Sequence, residues 1–337
     1  MKYFLGIDQG STKTAALVVD LNGNILGTGF EEGLTTVYFK DVDGFYMNRI
    51  LNACQQASVA AGISLNKVTA LCGGLSGADW DFEYPILTER LSHMMNISDV
   101  IVINDCIAAM RGGSTEKNCA VICAGTMLNA AVRGANGRQI IYGYFIDRAY
   151  SGASALGTAA LRKVMGAYLE INDKTLLTEL ILSHTGYESA ELLMIDISMG
   201  KYQLETKMLA PLLLRAHAAG DYEATAIVDE FCCGVARYIT AGMSRLEISG
   251  KVSDIVFSGS VFKDIGMLVA GKIFDIIASS EPCVRKVYAR YEPVCGAALT
   301  LLDREYGGEI PDEVKVAFDK SAVSQGLLRD PSGGGQV

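Results

Sequence analysis

One glycine and three hydroxyl side chains stand in the short segment DQGSTKT, residues 8–14, between two apolar runs near the start of the chain. Glycine lets the backbone approach a phosphate closely, the N–H groups of a turn donate to its oxygens, and serine or threonine adds further donors. Asp8 follows the first apolar run, where a carboxylate could hold a magnesium ion through water. The segment is not a Walker A loop, because Ser11 rather than lysine follows Gly10. Taken alone, the pattern also fits an ordinary hairpin.

A similar pattern recurs further along the chain. The apolar run CAVIC, residues 119–123, leads into the turn Ala124-Gly125-Thr126, and a second apolar run follows. In both places an Asn-Gly pair, which favours a tight hairpin turn, comes at nearly the same distance after the glycine: Asn22-Gly23 in the first case and Asn136-Gly137 in the second. The chain therefore carries the same strand and turn unit twice, and two such turns could clamp a triphosphate.

Asp105 is the candidate for proton transfer. It comes shortly after the run VIVI, residues 100–103, which is typical of a buried parallel strand, so Asn104 and Asp105 are expected at the carboxyl end of that strand. A carboxylate there can accept the proton of an acceptor hydroxyl and orient it for in-line attack on a γ-phosphoryl group. The alternative is that Asp105 only caps a helix running through Cys106 to Met110. The residues alone leave both interpretations open.

Strand and helix patterns alternate around these residues. Strands that alternate with helices imply α/β domains, in which ligands bind beyond the carboxyl ends of the strands. The apolar runs predict strands over residues 4–7, 15–20, 25–28, 68–71, 100–103 and 255–257. Helical periodicity predicts helices over residues 47–61, from 156 to about 219, 222–246 and 296–303.

Composition limits the classes of function. The 337-residue chain is 50% hydrophobic and 20% charged, which is enough apolar material for two packed domains. A formal net charge of −9 argues against a nucleic-acid partner. No segment is apolar over the roughly 18 residues of a membrane span, and the nine cysteines are expected to be buried thiols. We therefore expect a cytoplasmic protein that acts away from membranes and nucleic acids.

Together, these motifs resemble the superfamily of sugar kinases, heat-shock chaperone ATPases and actin, and within it the BadF/BadG/BcrA/BcrD-type ATPase family, which includes N-acetylglucosamine kinases. The similarity extends over roughly residues 3–303. It implies an α/β fold of two ribonuclease H-like domains with a nucleotide cleft between them. The expected N-terminal domain comprises residues 1–113 plus about 296–321, the C-terminal domain residues 114–295 with a helical insertion, and residues 322–337 a loose tail.

The resemblance also implies a function. It points to an ATP-dependent phosphotransferase that uses Mg²⁺ and acts on a hydroxyl of an amino sugar or a related small molecule, and we expect a homodimer. Asp105 then corresponds to the catalytic base and Asp8 to the metal-binding carboxylate. The nucleotide contacts are assigned to Gly10, Ser11, Thr12, Lys13, Thr14, Gly125, Thr126, Gly259 and Ser260. The substrate contacts are assigned to Thr36, Ser76, Gly77, Asp79 and Asn104.

Three departures from the kinase pattern keep a second class of function open. Met127-Leu128 stands where the kinases usually have Gly-Ser, residues 149–154 lack the acidic pair that usually follows the third strand of that unit, and Gly33 to Phe39 lacks Asn-His-Trp. The alternative is an ATP-driven conformational switch that acts on a protein partner, such as an activator of a 2-hydroxyacyl-CoA dehydratase. Cys123-Ala124-Gly125-Thr126 has a faint likeness to the cysteine motif of those activators.

Overall fold

The computed structural model describes residues 2–10, 12–33 and 45–329, and of residues 45 and 46 only the backbone. In this part of the chain, ten strands and eleven α-helices follow one another. The strands are β1 (Tyr3–Gln9), β2 (Lys13–Asp20), β3 (Ile25–Glu32), β4 (Ala70–Leu75), β5 (Val100–Asn104), β6 (Cys119–Ala124), β7 (Leu128–Arg133), β8 (Gln139–Ile141), β9 (Ser253–Ser258) and β10 (Val284–Tyr288). The helices are α1 (Phe45–Ala61), α2 (Glu83–Met95), α3 (Asp105–Gly113), α4 (Gly152–Tyr168), α5 (Leu176–Thr185), α6 (Ala190–Ser198), α7 (Ala210–Ala218), α8 (Tyr222–Arg245), α9 (Met267–Ser280), α10 (Pro293–Glu305) and α11 (Asp312–Ser324).

The first compact unit contains the described residues from 2 to 121 together with Val287–Arg329. Its five-stranded sheet has the order β3-β2-β1-β4-β5. Strand β1 pairs antiparallel with β2 and parallel with β4, which in turn pairs parallel with β5. This mixed sheet is the ribonuclease H-like arrangement expected for the N-terminal domain, and it brings the carboxyl ends of β1, β4 and β5 to one edge.

Helices cover both faces of the first sheet because successive side chains of β1 point in opposite directions. Leu5 and Ile7 are buried in a core with residues of α1 and α2. Phe4 is buried in a second core with residues of α10 and α11. Helix α10 reaches β1 so closely that a Cβ on Gly6 would lie 2.8 Å from the backbone nitrogen of Ala298. Glycine at this position therefore allows α10 to pack directly against β1.

Residues 322–329, which composition places in a loose tail, are packed instead. Helix α11 continues to Ser324. Beyond it, the Glu292 N–H donates to the Leu327 carbonyl at 2.9 Å, and the Arg329 N–H donates to the Arg290 carbonyl at 2.8 Å. The glycine-rich composition that suggests a tail begins only after Pro331, and the chain before it forms backbone hydrogen bonds with the segment that leads into α10. Residues 330–337 lie outside the described part.

The second compact unit contains Ile122–Lys286. Its five-stranded sheet has the order β10-β9-β6-β7-β8, which read from β8 is the same permutation as in the first sheet. Strands β7 and β8 are antiparallel, as the Asn136-Gly137 hairpin predicts. Helix α8 buries Phe231, Val235 and Ile239, and α9 buries Val269 and Ile273. The predicted α/β class with two ribonuclease H-like sheets is therefore confirmed.

Most predicted elements are present with small changes of their ends. The helix predicted over residues 47–61 is α1, and Gly62 follows it with a φ of +64°. Helix α2 has no counterpart among the predicted elements. The predicted domain boundaries at 113/114 and 295/296 stay a prediction. Along the sequence, the two compact units are divided at 121/122 and 286/287. Across the described residues, no helix combines the length and apolar character that crossing a bilayer requires.

Candidate functional site

The carboxyl ends of the parallel strands gather the polar residues of the first unit. Asp8 lies next to Gly74 in the register of β1 and β4, and Leu75 lies next to Asn104 in the register of β4 and β5. Asp105 follows directly as the first residue of α3. Parallel strands thus bring together residues that are almost one hundred positions apart in sequence.

Asp8 is a buried carboxyl with a strongly changed acidity. Its side chain is only 6% exposed. Burial raises its pKa to about 6, and the nearby Glu292 carboxylate adds to the rise, whereas Lys13 and Arg329 act in the opposite direction. A partly desolvated carboxylate beside two cations is an oxygen donor of the kind that Mg²⁺ accepts, directly or through water.

Asp105 has the acidity of a general base that works near neutral pH. Burial raises its pKa to about 7, and the carboxylates of Asp8 and Asp79 add to the rise. The Cys106 N–H donates to Asp105 Oδ1 at 2.9 Å and acts in the opposite direction. The N-cap position of α3 belongs to Asn104, whose Oδ1 also accepts from the Cys106 N–H at 2.9 Å. Helix capping is therefore carried largely by the neighbouring residue.

Asn104 connects the end of β5 to the loop after β4. Its Nδ2 donates to Asp79 Oδ1 at 2.9 Å and to the Ala78 carbonyl at 3.2 Å. Glu83 Oε2 accepts from the Asp79 and Trp80 N–H groups and so fixes the loop from the other side. This places Asp79 close enough to Asp105 to raise the pKa of that residue.

The other predicted substrate residues fall into two groups. The Ser76 N–H donates to the Gln9 carbonyl at 2.8 Å, which extends the pairing of β1 and β4, and Gly77 follows with a φ of +94°. Both residues therefore lie on the same loop as Asp79, beside the end of β1. Thr36 lies outside the described residues, so its predicted role stays a prediction.

The turn after β1 is closed by backbone hydrogen bonds. The Gly10 N–H donates to the Lys13 carbonyl at 2.9 Å, and the Gly33 N–H donates to the Thr12 carbonyl at 3.0 Å. Among the described residues, a Cβ on Gly10 would find no atom nearer than the Lys13 oxygen at 3.7 Å, so these residues leave one side of the turn open. Thr14 is buried in β2, whereas Thr12, just before that strand, is exposed. Ser11 lies outside the described residues.

Lys13 forms an ion pair that no sequence motif predicts. Its Nζ donates to Glu292 Oε2 at 2.9 Å, and the same carboxylate accepts from Arg329. Burial alone would raise the pKa of Glu292, but Arg329 and Lys13 together lower it to about 2. Glu292 directly precedes Pro293, the first residue of α10, so its position at a helix start is readable from sequence. The ion pair between Glu292 and Lys13 depends on how the chain folds, and no sequence pattern points to Arg329.

The turn after β6, in the second unit, is held by a helix. The Gly125 N–H donates to the Met127 carbonyl at 2.9 Å, and the Ala153 and Ser154 N–H groups at the start of α4 donate to the carbonyls of Gly125 and Thr126. A Cβ on Gly125 would meet no atom of the described residues within 4 Å, so these residues leave this turn open on one side as well. Met127 is 58% exposed.

Gly259 and Ser260, which the resemblance assigns to the nucleotide, lie beside this second turn. Gly259 follows β9 with a φ of +106°, and a Cβ there would lie 2.2 Å from the Ala124 carbonyl oxygen. The ends of β6 and β9 therefore touch through a glycine, which brings Ser260, an exposed residue, near Gly125 and Thr126. The residues assigned to the nucleotide in this unit thus form one group.

In the described part of the chain, no group of three side chains forms a metal centre, and no disulfide joins the cysteines. Within residues 2–10, 12–33 and 45–329, no three His, Cys, Asp or Glu side chains are grouped so as to hold a metal ion. No disulfide joins the nine cysteines, all of which lie in the described part of the chain; six of them are buried as expected, but Cys233 and Cys283 are exposed. Cys123, at the end of β6, is partly buried.

Two sheets of the same strand order, each with a glycine turn after its first strand, define a duplicated nucleotide-binding α/β protein. The chain belongs to the BadF/BadG/BcrA/BcrD ATPase family, whose sequence profile matches residues 5–300. The predicted family is therefore confirmed, and ATP is the nucleotide that it implies.

Two named relatives cover most of the chain. An N-acetylmuramic acid/N-acetylglucosamine kinase of Clostridium acetobutylicum is 24% identical over 274 residues, which are 80% of this chain and 88% of that protein. An N-acetyl-D-glucosamine kinase of Dictyostelium discoideum is 24% identical over 327 residues, which are 89% of this chain and 98% of that protein.

A solved structure supports the fold independently. A candidate N-acetylglucosamine kinase of Chromobacterium violaceum superimposes with a TM-score of 0.65 at 17% identity, covering 89% of this chain and 99% of that one. At this identity the similarity establishes the fold, and the chemistry depends on the residues at the strand ends.

Proposed function

We propose that the protein is an ATP-dependent kinase of an amino sugar, similar to the N-acetylglucosamine kinases, with Asp105 as its catalytic base. The observation that carries the proposal is the position of Asp105, a partly buried carboxyl directly after β5 at the strand ends that also hold Asp8 and Asp79; its pKa, raised to about 7, supports the proposal. A base with a pKa near the working pH combines a useful ionised fraction with a strong affinity for the proton. An ordinary surface aspartate is almost fully ionised near neutral pH but has a much weaker affinity for the proton.

The reaction follows from this group. The Asp105 carboxylate accepts the proton of the acceptor hydroxyl while the hydroxyl oxygen attacks the γ-phosphorus of ATP. The bond between the γ-phosphorus and the bridging oxygen breaks, ADP leaves, and the sugar phosphate carries the transferred group. Asp8 and Asp79 support this role, because their negative charges make Asp105 more basic.

The donor sets fit ATP and magnesium. The open sides of Gly10 and Gly125 leave room for phosphate oxygens close to the backbone, and Lys13 supplies a positive charge beside the first turn. Asp8 would hold Mg²⁺, whose charge would offset that of the phosphate oxygens. The assignments of Thr12, Thr14, Thr126, Gly259 and Ser260 to the nucleotide belong to the same proposal.

The sugar class comes from the relatives and from the polar loop after β4. Both curated relatives carry kinase names that include N-acetylglucosamine or N-acetyl-D-glucosamine, which favours a kinase over a conformational switch. Ser76, Asp79 and Asn104 offer a hydroxyl, a carboxylate and an amide on neighbouring elements, groups suited to sugar hydroxyls. The homodimer expected from the sequence stays a prediction.

The test is ATP consumption with magnesium across a panel of amino sugars and hexoses, N-acetylglucosamine and N-acetylmuramic acid included. We expect one acceptor to stimulate turnover, and Asp105→Asn to lower kcat by about 100-fold or more, as for the loss of a general base. Asp173→Asn is the matched control, because Asp173 is exposed and lies in the second unit. ATP binding without stimulation by any sugar would contradict the kinase and favour the switch.

A further inference from the structure

The turn lysine is held by a carboxylate from a distant part of the chain. Lys13 Nζ lies 2.9 Å from Glu292 Oε2, and Glu292 occupies the N-cap position of α10. Helix α10 is packed against β1, since a Cβ on Gly6 would lie 2.9 Å from the Val294 carbonyl oxygen. The pair is therefore placed by the core of the first unit and not by a chance encounter of two surface side chains.

A second cation binds the same carboxylate. Arg329 Nε donates to Glu292 Oε1 at 3.1 Å, and Arg329 Nη2 donates to Oε2 at 3.2 Å. The Arg329 side chain is only 15% exposed, and its backbone is tied to Arg290. Oε2 thus accepts from both Lys13 and Arg329, so the two cations share one oxygen.

This sharing sets the strength of the lysine contact. The positive charge of Arg329 offsets part of the field that Glu292 exerts on Lys13, and a weaker field holds the ammonium less firmly. A lysine ammonium has three N–H donors, and the bond to Glu292 uses one of them. Lys13 is 39% exposed, so its ammonium is oriented by Glu292 while part of it still faces solvent at the open turn.

We propose that Glu292 is a positioning residue for Lys13 and that Arg329 limits how strongly Glu292 holds it. The inference rests on the proposed function in one respect, namely that Lys13 contacts a phosphate of ATP. Glu292 then orients the ammonium before the nucleotide binds and competes with the phosphate for it. Arg329 weakens that competition, which gives the segment after α11 a role in nucleotide affinity.

The test measures the Kd for magnesium ATP by isothermal titration calorimetry without any sugar. Glu292→Gln should bind ATP about threefold more tightly, because the competing charge is gone, and Arg329→Met about fivefold more weakly, because Glu292 then holds Lys13 unopposed. In a Lys13→Met background both substitutions should change the Kd by less than about 1.5-fold. Opposite signs that vanish with Lys13 are what we expect if Glu292 and the phosphate compete for Lys13 and Arg329 weakens that competition.

Two controls separate this role from simple docking of the C-terminal segment. Arg290→Met removes an exposed ion pair with Asp319 in the same region and should leave the Kd unchanged. Arg329→Lys keeps the charge and should stay within about twofold of the wild type; it also serves if Arg329→Met fails to fold. Shifts of the same sign in Glu292→Gln and Arg329→Met, or shifts that persist without Lys13, would overturn the inference.

The outcome also distinguishes this inference from the kinase proposal. A wild-type protein that binds no magnesium ATP would overturn both. A protein that binds ATP but phosphorylates no sugar would overturn the kinase alone, because the Kd comparison among the variants still decides whether Glu292 positions Lys13.

Discussion

The turns after β1 and β6 occupy equivalent places in two sheets of the same strand order, yet they are held in different ways. The first turn carries Lys13, which is bound by the side chain of Glu292. The second carries the apolar Met127 and is bound through its carbonyls by the backbone N–H groups of Ala153 and Ser154. The two turns therefore occupy equivalent positions in their sheets but differ in the groups that hold them. The first turn should respond to changes of charge, and the second to changes of backbone geometry.

The largest expected effect tests whether the turn after β6 depends on backbone geometry. Gly152 has a φ of +64°, and a Cβ there would lie 2.5 Å from the Met127 carbonyl carbon. Gly152→Ala should therefore lower the free energy of unfolding by about 3 kcal/mol, from strained backbone and a clash with a backbone atom that cannot move aside. Chemical denaturation measures this change.

Two other glycines show how much of that effect comes from the contact with the turn. Gly186 has a φ of +75°, and a Cβ there would meet no atom within 4 Å, so Gly186→Ala should cost only about 1 kcal/mol of the free energy of unfolding. Gly10→Ala, in the first turn, should cost less, since its nearest contact would be at 3.7 Å. Equal losses for Gly10→Ala and Gly152→Ala would remove the distinction between the two turns.

The next largest effect concerns the charged groups at the strand ends of the first unit. A base must be ionised to accept a proton, so with a pKa raised to about 7, kcat should fall as the pH drops through neutrality. About one tenth of Asp105 is ionised at pH 6 and about nine tenths at pH 8, which predicts a roughly tenfold difference in kcat. The measurement is a kcat profile with the best acceptor between these two pH values.

Asp79→Asn sharpens this prediction. The substitution removes a negative charge that raises the pKa of Asp105, while the amide oxygen can still accept from Asn104. The midpoint of the kcat profile should therefore move to lower pH. Gly152→Ala should leave that midpoint in place, since it alters no charge near Asp105. A profile that is flat between pH 6 and 8 would mean that Asp105 is not the base.

The strands and the residues at their ends could be predicted because they depend on local patterns, whereas the ribonuclease H-like arrangement of the strands was expected only from the resemblance. Apolar runs, an Asn-Gly hairpin and a glycine turn all act within about ten residues, and they placed Asp8 and Asp105 at the carboxyl ends of β1 and β5. The assignment of Asp105 as base depended in addition on resemblance, because a strand-end aspartate can equally cap a helix.

The contacts of Lys13 could not be predicted in the same way. Glu292 and Arg329 reach the turn only because α10 packs on β1 and the chain after α11 returns to the segment before α10. Such contacts join positions about three hundred residues apart, and no spacing rule encodes them. Helix α2 was missed for a different reason: only four of its residues are buried, namely Glu83, Leu87, Leu91 and Met95, so its apolar stripe is narrow.

The smallest expected effect concerns the chemistry that the second turn has lost relative to the kinase pattern. Met127→Gly would give the turn a residue that permits closer approach of the backbone to a phosphate, and we expect the Kd for magnesium ATP to fall about threefold. Met127→Ala is the matched control, because it removes the side chain without the conformational freedom of glycine. Similar gains from both would point to a steric effect of the methionine, and no change in either would show that this turn does not contact the nucleotide. In that case the first turn, with Lys13 and the Glu292 carboxylate that Lys13 shares with Arg329, would account for the phosphate contacts.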